Sequence, residues 1–261
     1  MAHDGGSQMR RLIVSPDSIS GDRIHITDKD DILYLAHVLR MKEGDSLLVS
    51  DGAGKGWETR IERISRDGIE IGIISDLEIQ SHDSICVTLY QGLPKGSKME
   101  EIVRKATELG VYAVVPVGTA RSIPGPGDIS PAKIERWRRI AKEASKQSRR
   151  LFVPNVPDVL AFADAAAGLR DSGYDLVLVP YELEEAMTLK RALRESIASM
   201  SDRGVKPLSI AVFIGPEGGF EPGEIDMLVH EGAISVTMGD NILRTETAGP
   251  AAVTIILYEL G

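Results

Sequence analysis

Short runs of β-prone residues dominate the first 75 residues. Turn signals such as Ser20-Gly21-Asp22, Glu43-Gly44-Asp45 and Asp67-Gly68 separate the runs. A helical stretch interrupts them at about residues 30–40, with Thr27-Asp28 before it as a source of capping side chains. The predicted strands are 11–15, 23–27, 46–50, 57–64 and 69–74. Five short strands with one helix predict a small barrel-like domain.

After a polar stretch at 78–84, the pattern changes to fully apolar runs that alternate with helical segments. Such runs predict a parallel sheet with helices on both faces, because both sides of each strand are buried. We therefore expect a β-barrel domain at 1–77 and an α/β domain at 78–261. The predicted strands of the second domain are 85–90, 111–117, 175–180, 209–214 and 233–237. Its predicted helices are 97–109, 131–147, 184–199, 222–231 and 251–260.

The composition excludes several classes of protein. Hydrophobic residues make up 43% of the chain and charged residues 26%, which is a globular balance rather than that of a disordered chain. Residues 1–8 are polar and lack the apolar core of a signal peptide. Cys86 is the only cysteine, which excludes an internal disulfide and a cysteine-based zinc site and leads us to expect a reduced, cytoplasmic setting. The five histidines lack metal-ligand spacing, and we expect no metal.

The charges are segregated along the chain. The net charge is −9, yet residues 133–150 carry +6, so the rest of the chain carries −15. In the helix predicted at 131–147, Arg138, Lys142 and Lys146 form a row at i, i+4 spacing, away from an apolar stripe. Taken alone, such a row is most often a solvated helix face. A surface that binds the phosphates of a nucleic acid is the alternative.

The segment Phe213-Ile214-Gly215-Pro216-Glu217-Gly218-Gly219-Phe220 is the strongest local signal. It follows an apolar strand and precedes a helix, and its three glycines allow the backbone to approach a ligand closely. A tight strand-to-helix turn without a ligand explains the same residues equally well. The segment matches neither the Walker loop nor the dinucleotide fingerprint.

A second segment runs from Met238-Gly239-Asp240-Asn241 through Ile242-Leu243-Arg244-Thr245-Glu246-Thr247-Ala248 into the last apolar helix. Either Thr245 or Thr247 is a candidate N-cap of that helix. A helix start that carries both Arg244 and Glu246 is unusual for a plain cap. The simple alternative is an Arg–Glu ion pair that braces a turn.

With these two segments, several motifs in the same order resemble the ribosomal RNA small subunit methyltransferase E family, a member of the SPOUT class. The resemblance covers nearly the whole chain. One departure is Asp240-Asn241, where the family usually has Pro-Arg, which removes a positive charge beside the cofactor loop. The other motifs are Arg11-Leu12-Ile13-Val14, His37-Val38-Leu39-Arg40 with Gly44-Asp45, Lys95-Gly96-Ser97-Lys98-Met99-Glu100, Lys105-Ala106-Thr107-Glu108-Leu109-Gly110-Val111 and Glu143-Ala144-Ser145-Lys146-Gln147-Ser148-Arg149-Arg150.

This resemblance implies a PUA-like β-barrel that binds RNA, followed by an α/β domain with a trefoil knot. It implies a homodimer that methylates N3 of a uridine in small-subunit (16S) ribosomal RNA. It also implies that S-adenosyl-L-methionine binds in the knot. The matching cofactor-binding positions are Pro180, Tyr181, Glu182, Ile214, Gly215, Pro216, Glu217, Gly218, Gly219, Met238, Gly239, Ile242, Leu243, Arg244 and Thr245.

Given that reaction, we expect two catalytic residues. Arg244 is the candidate for stabilising the negative charge of a uridine that has lost its N3 proton. Glu246 is either the base that accepts this proton or an orienting partner for Arg244. The expected RNA-binding residues are Arg11, Arg40, Lys95, Lys98, Arg138, Lys142, Lys146, Arg149 and Arg150.

Two other functions stay open on the sequence alone. An enzyme with the same fold can act on another RNA or another base. A protein that binds RNA during ribosome assembly and has lost catalysis is the other alternative, with Asp240-Asn241 as the damaging change.

Overall fold

The computed structural model describes residues 10–78, 85–123, 125–200 and 208–261, which belong to two compact units. The first unit comprises residues 1–82 and 145–153, and the second comprises 83–144 and 154–261. The predicted tail at 1–8 and most of the polar stretch at 78–84 lie outside the described residues. The domain boundary at 77/78 therefore stays a prediction. No helix in the described ranges is long and apolar enough to cross a membrane.

The first unit is built on one six-stranded sheet, which confirms its predicted β-rich character. In the sheet the strands lie in the order β1-β4-β5-β6-β3-β2, with β1 parallel to β4 and the other neighbours antiparallel. Its core consists of strand residues such as Leu47, Ile61 and Ile71. The strands are β1 (Arg10–Ile13), β2 (Ile19–Ser20), β3 (Arg23–Ile26), β4 (Ser46–Ser50), β5 (Lys55–Ile64) and β6 (Ile69–Glu78).

The helix predicted at 30–40 is a short α-helix, α1 (Lys29–Leu33), continued by a π-helical turn at Tyr34–Val38. The Asp28 carboxylate caps α1 by accepting hydrogen bonds from the backbone N–H groups of Asp30 and Asp31, both at 3.0 Å. An aspartate at this position satisfies N–H groups that have no partner within the helix.

Residues 145–153 pack in the first unit although they are distant from it in sequence. The Ser50 hydroxyl donates to the carbonyl of Leu151, and the N–H of Val153 donates to the carbonyl of Gly52 at 2.9 Å. The ammonium of Lys146 lies 2.6 Å from the carboxylate of Asp31. A prediction that assigns continuous ranges to each domain does not place residues 145–153 in the first unit. No local sequence pattern shows which distant part of the chain a segment packs against.

The second unit contains a six-stranded, wholly parallel sheet in the order β12-β10-β11-β7-β8-β9, which confirms the predicted α/β class. The trefoil knot stays a prediction. The strands are β7 (Ile85–Gly92), β8 (Ala113–Gly118), β9 (Leu160–Ala161), β10 (Leu176–Pro180), β11 (Leu208–Ile214) and β12 (Ile234–Val236). The helices are α2 (Lys98–Leu109), α3 (Pro131–Gln147), α4 (Phe162–Ala167), α5 (Leu189–Met200), α6 (Pro222–His230) and α7 (Thr245–Leu260).

Three helices of the second unit depart from the prediction. The helix predicted at 184–199 begins at Leu189, because the Glu184 carboxylate accepts hydrogen bonds from the N–H groups of Ala186 and Met187 and holds a turn there. The last helix begins at Thr245, six residues before the predicted start, and Pro250 lies within it. The short helix α4 was not predicted, since six residues carry too little periodicity to be recognised.

Phe213 on β11 lies at the centre of the second unit. Its side chain is 1% exposed, and its ring stacks on Tyr90 with a centroid distance of 4.3 Å and an interplanar angle of 5°. We predict that Phe213→Ala lowers the free energy of unfolding by about 3–5 kcal/mol, because it removes a buried ring and leaves a cavity. Phe213→Leu, which refills most of the volume, should cost less than about 1.5 kcal/mol. Urea denaturation of both variants measures this, and equal losses would contradict the packing argument.

Candidate functional site

A cavity of about 410 Å³ lies at the carboxyl edge of the parallel sheet. Its walls are the residues that directly follow β10, β11 and β12, together with the start of α7. Open α/β sheets bind ligands at this edge, because the loops that leave neighbouring strands meet there. The volume is in the range of small-molecule and cofactor sites.

The structure brings the predicted cofactor-binding positions together around this cavity, and only Gly218 is absent from the lining. Gly218 lies in the same loop, where its carbonyl accepts a hydrogen bond from the Arg121 guanidinium at 2.7 Å. The role of these residues in binding a ligand stays a prediction. The predicted positions in the lining are Pro180, Tyr181, Glu182, Ile214, Gly215, Pro216, Glu217, Gly219, Met238, Gly239, Ile242, Leu243, Arg244 and Thr245.

Buried hydrogen bonds fix two walls of the cavity to each other. The Thr245 hydroxyl at the start of α7 donates to the carbonyl of Gly215 at 2.7 Å. It accepts from the side-chain amide of Gln91, at the end of β7, at 2.8 Å. Gln91 is fully buried and Thr245 is 5% exposed, so water does not compete for these bonds. Thr245 therefore couples the loop after β11 to α7 rather than serving as the N-cap, a position that Arg244 occupies.

The loop after β11 requires glycine for two different reasons. Gly219 has φ +66°, in the left-handed region that favours glycine. Gly215 lies so close to the returning loop that an added Cβ would be 3.0 Å from the carbonyl carbon of Gly219. The tight-turn interpretation and the ligand interpretation are thus compatible, since the turn forms a wall of the cavity.

Lys98, at the first position of α2, joins two carboxylates beside the cavity. Its ammonium lies 2.9 Å from Glu217 and 3.3 Å from Glu246. The hydrogen bond to Glu217 is the largest cause that raises the pKa of Lys98, against the opposing effect of burial. Burial acts to raise the pKa of Glu217, but hydrogen bonds from Lys98 and from the N–H of Lys95 outweigh it and lower that pKa. Lys98 and Glu217 are therefore both charged near neutral pH.

Arg244 lines the cavity with an exposed side chain. Among the described residues, its guanidinium has neither an ion-pair partner nor a hydrogen-bond acceptor. Glu246 instead has Lys98 as its cation, and its side chain is only 13% exposed. The Arg–Glu brace that the sequence allowed is thus not formed in this structure, and the guanidinium is available to a ligand.

The charged groups of the lining have an excess of acid. The lining contains Glu182, Glu217 and Asp240 against Lys98 and Arg244, and the buried oxygen of Glu246 has the Lys98 ammonium 3.3 Å away. This donor set suits a small, positively charged ligand that also bonds to backbone groups. The described residues contain no cluster of three His, Cys, Asp or Glu side chains that could hold a metal ion.

Sequence reasoning missed some members of this site. Lys98 was expected on an RNA-binding surface, but it lies in the lining of the cavity. Asp240 and Asn241, noted only as a departure from a motif, also line it. Gln91 was not singled out. A glutamine that ends a fully apolar parallel strand is a usable signal, because strand ends of this kind meet at the ligand-binding edge.

The predicted RNA-binding residues belong to both units. Arg11, Arg40, Lys146, Arg149 and Arg150 lie in the first unit, and the other predicted residues lie in the second. Two members of the basic row on α3 are occupied by partners within their own unit. Arg138 pairs with Glu135 and Asp158, and Lys146 pairs with Asp31. Lys142 is exposed. The apolar stripe of α3 is buried as predicted, at Ile134, Trp137, Ala141 and Ala144.

Known proteins resemble this chain in both sequence and fold. A family model described as an RNA methyltransferase domain matches residues 81–257, and one described as an RNA methyltransferase PUA domain matches 26–74. The ribosomal RNA small subunit methyltransferase E of Bacillus subtilis (strain 168) is 33% identical over 243 residues, which cover 93% of this chain and 90% of that protein. The protein of the same name from Synechocystis sp. is 33% identical over 246 residues, or 94% of this chain and 76% of that protein.

The chain belongs to the ribosomal RNA small subunit methyltransferase E family. A solved member of this family, from Neisseria gonorrhoeae, was crystallised bound to S-adenosyl methionine. It has a TM-score of 0.70 and 26% identity to this chain, and the match covers 95% of this chain and 96% of the other. The methyltransferase E family thus accounts for both units of the chain, the PUA domain and the parallel sheet.

The bridging position of Lys98 leads to a prediction about charge. In Lys98→Met, the pKa of Glu217 should rise because its main stabilising hydrogen bond is lost. Its lowered pKa contributes stability that is present at neutral pH and lost as the pH falls through the folded-state pKa. The variant should therefore be less stable than the wild type at pH 7, with the difference shrinking below the ordinary glutamate pKa of 4.5. Carbon-13 NMR titration of the glutamate carboxyls and denaturation at several pH values measure both effects.

Lys105→Met is the matched control, since Lys105 lies on the same helix and pairs with the exposed Glu101. It should change the pKa of Glu101 and leave that of Glu217 alone. Unchanged titration of Glu217 in Lys98→Met would contradict the bridge.

Proposed function

We propose that this protein transfers the methyl group of S-adenosyl-L-methionine to the N3 atom of a uridine in small-subunit ribosomal RNA. The observation that carries the proposal is the cavity at the carboxyl edge of the sheet. There Arg244, which has no partner among the described residues, lies among the loops that match the RNA methyltransferase domain. Relatives named ribosomal RNA small subunit methyltransferase E match more than nine-tenths of the chain.

The residues present fit this cofactor. The sulfonium and the amino group of S-adenosylmethionine are cationic, and the acidic excess of the lining suits them. The loops after β11 and β12 line the cavity, and at Gly239 an added Cβ would meet no other atom within 4 Å, so this position leaves room for close approach. Leu243 and Ile242 supply apolar surface for an adenine ring.

The reaction requires a methyl donor, a free lone pair on N3 and alignment of the two reactants. When bound, S-adenosylmethionine supplies an electrophilic methyl group on sulfur. Uridine N3 carries a proton that must leave before its lone pair can attack. The guanidinium of Arg244 would stabilise the resulting negative charge, because it stays charged and offers a planar set of donors. Glu246 is the carboxylate nearest to Arg244 in the sequence, and its ion pair with Lys98 holds it in place.

Holding the reactants in line supplies a large part of the rate enhancement in such transfers. The Gln91–Thr245–Gly215 hydrogen bonds would perform this task on the protein side, because they fix the loop and the helix between which the reactants must lie. N3 lies on the Watson–Crick edge of uridine, so a paired target must first be exposed. We further propose that the enzyme works in the cytoplasm as a homodimer.

A deletion strain tests the proposed function. Nucleoside mapping of its small-subunit ribosomal RNA should show loss of N3-methyluridine, and the purified protein with S-adenosylmethionine should restore it. Methylation of a different base or RNA would identify another SPOUT enzyme. Failure to bind the cofactor would instead favour an assembly factor that has lost catalysis.

Arg244 allows a test of the mechanism. We predict that Arg244→Ala lowers kcat about 10²–10³-fold, because a charge that develops during the reaction loses its preorganised donor. Cofactor affinity, measured by calorimetry, should change much less, since backbone groups provide most of the binding surface. The kcat of Arg244→Lys should lie between those of the wild type and Arg244→Ala, because lysine keeps the positive charge but lacks the planar set of donors. An unchanged kcat in Arg244→Ala would remove the residue from the mechanism.

A further inference from the structure

The loop after β8 contacts the glycine-rich loop after β11 from outside the cavity. The guanidinium of Arg121, three residues beyond the end of β8, donates to the carbonyl of Gly218 at 2.7 Å. Strand β7 lies between β8 and β11 in the sheet, so this contact joins loops whose strands are not neighbours. Among the described residues, the lining of the cavity includes Glu217 and Gly219, on either side of Gly218, but neither Gly218 nor Arg121.

Further contacts hold the same two loops together. The Glu224 carboxylate accepts hydrogen bonds from the N–H of Ala120 at 2.8 Å and from the N–H of Glu221 at 2.9 Å. The Nε atom of Arg121 lies 3.9 Å from the carboxylate of Glu221. An added Cβ at Gly218 would be 3.2 Å from the Cβ of Arg121 and 3.3 Å from its Cδ. The aliphatic part of the Arg121 side chain therefore lies directly against the loop that its guanidinium bonds.

The peptide between Gly218 and Gly219 has the greatest rotational freedom in the loop after β11. It has glycine on both sides, so no Cβ restricts the rotation of its plane. Both of its polar groups are bonded, because its carbonyl accepts from Arg121 and the N–H of Gly219 donates to the carbonyl of Pro216 at 2.9 Å. Rotation of this peptide would break both bonds and change the φ of Gly219, which is +66°. Arg121 thus favours one of the backbone conformations that the two glycines permit.

We propose that Arg121 is a positioning residue for the cofactor and that it holds the Gly218–Gly219 peptide in the orientation that binds S-adenosylmethionine. The inference rests on the proposed function, because it takes that cofactor as the ligand of the loop. A loop that occupies its binding conformation for only a fraction of the time binds with an affinity reduced by that fraction. Loss of Arg121 should therefore weaken cofactor binding, although its side chain does not line the cavity.

Arg121→Ala tests this role by calorimetry with S-adenosylmethionine. The Kd should rise about 3–10-fold, because the loop loses a hydrogen bond from a charged donor and spends less time in its binding conformation. Arg121→Lys keeps the positive charge and a donor, so it should recover part of the lost affinity. In the ligand-free protein, NMR should show faster amide exchange at Gly219 in Arg121→Ala, since its N–H belongs to the peptide that is no longer held.

Arg170→Ala is the matched control. Arg170 lies in the same unit, donates to the backbone carbonyl of His230 at 3.1 Å and pairs with Glu231 at 2.6 Å, so its loss removes the same kinds of contact at the end of α6. Both alanine variants should lower the melting temperature, but only Arg121→Ala should weaken cofactor binding. An unchanged cofactor Kd in Arg121→Ala, or an equal rise in both variants, would overturn the proposal.

The same samples keep this inference distinct from its alternatives. Weaker RNA binding with a smaller salt slope in Arg121→Ala, at wild-type cofactor affinity, would make Arg121 an RNA contact and overturn the proposal. A wild-type protein that binds S-adenosylmethionine without forming N3-methyluridine would overturn the proposed reaction alone. A wild type that methylates, with an Arg121→Ala variant that binds the cofactor normally, would overturn this inference alone.

Discussion

The hydroxyl of Thr245 is the contact on which the cavity depends. It bonds the carbonyl of Gly215 and the side chain of Gln91, so the end of β7, the loop after β11 and the first turn of α7 meet at one buried atom. Strand ends and loops have no regular hydrogen-bond ladder to fix their relative positions. A buried side-chain network supplies that constraint, and its strength comes from the exclusion of water. Arg244 precedes Thr245 directly, so the same bonds hold the backbone from which the Arg244 side chain extends.

Charge is distributed so that an acidic protein can act on RNA. The cavity combines acidic side chains with an unpartnered Arg244, whereas Lys98 is held between Glu217 and Glu246. An ammonium shared by two carboxylates fixes their geometry more than it adds net charge. The basic side chains of α3 also differ in their surroundings. Arg138 pairs with neighbouring carboxylates and Lys142 is exposed, so a row of like residues in the sequence contains members with different surroundings.

The sequence predicted the architecture because its strongest signals are local. Fully apolar runs identify parallel strands whatever lies around them, and the glycine-rich segment after β11 marked the edge of the sheet where the cavity lies. Contacts between residues that are distant in the sequence could not be predicted in this way. No periodicity reveals that residues 145–153 pack beside Ser50 and Gly52, or that Lys98 faces Glu217 and Glu246. The start of α7 was placed too late for a related reason, since Pro250 is unfavourable in a helix and only packing against α2, α5, β7 and β11 overrides it.

Two glycines of the loop after β11 answer two different constraints. At Gly215 the returning chain is so close that an added Cβ would be 3.0 Å from the carbonyl carbon of Gly219. At Gly219 the backbone conformation itself favours glycine, because φ is +66°. The first constraint comes from the packing of the loop on itself, and the second comes from the direction of its turn. Both positions lie in the loop that lines the cavity, so a side chain at either of them would distort that wall.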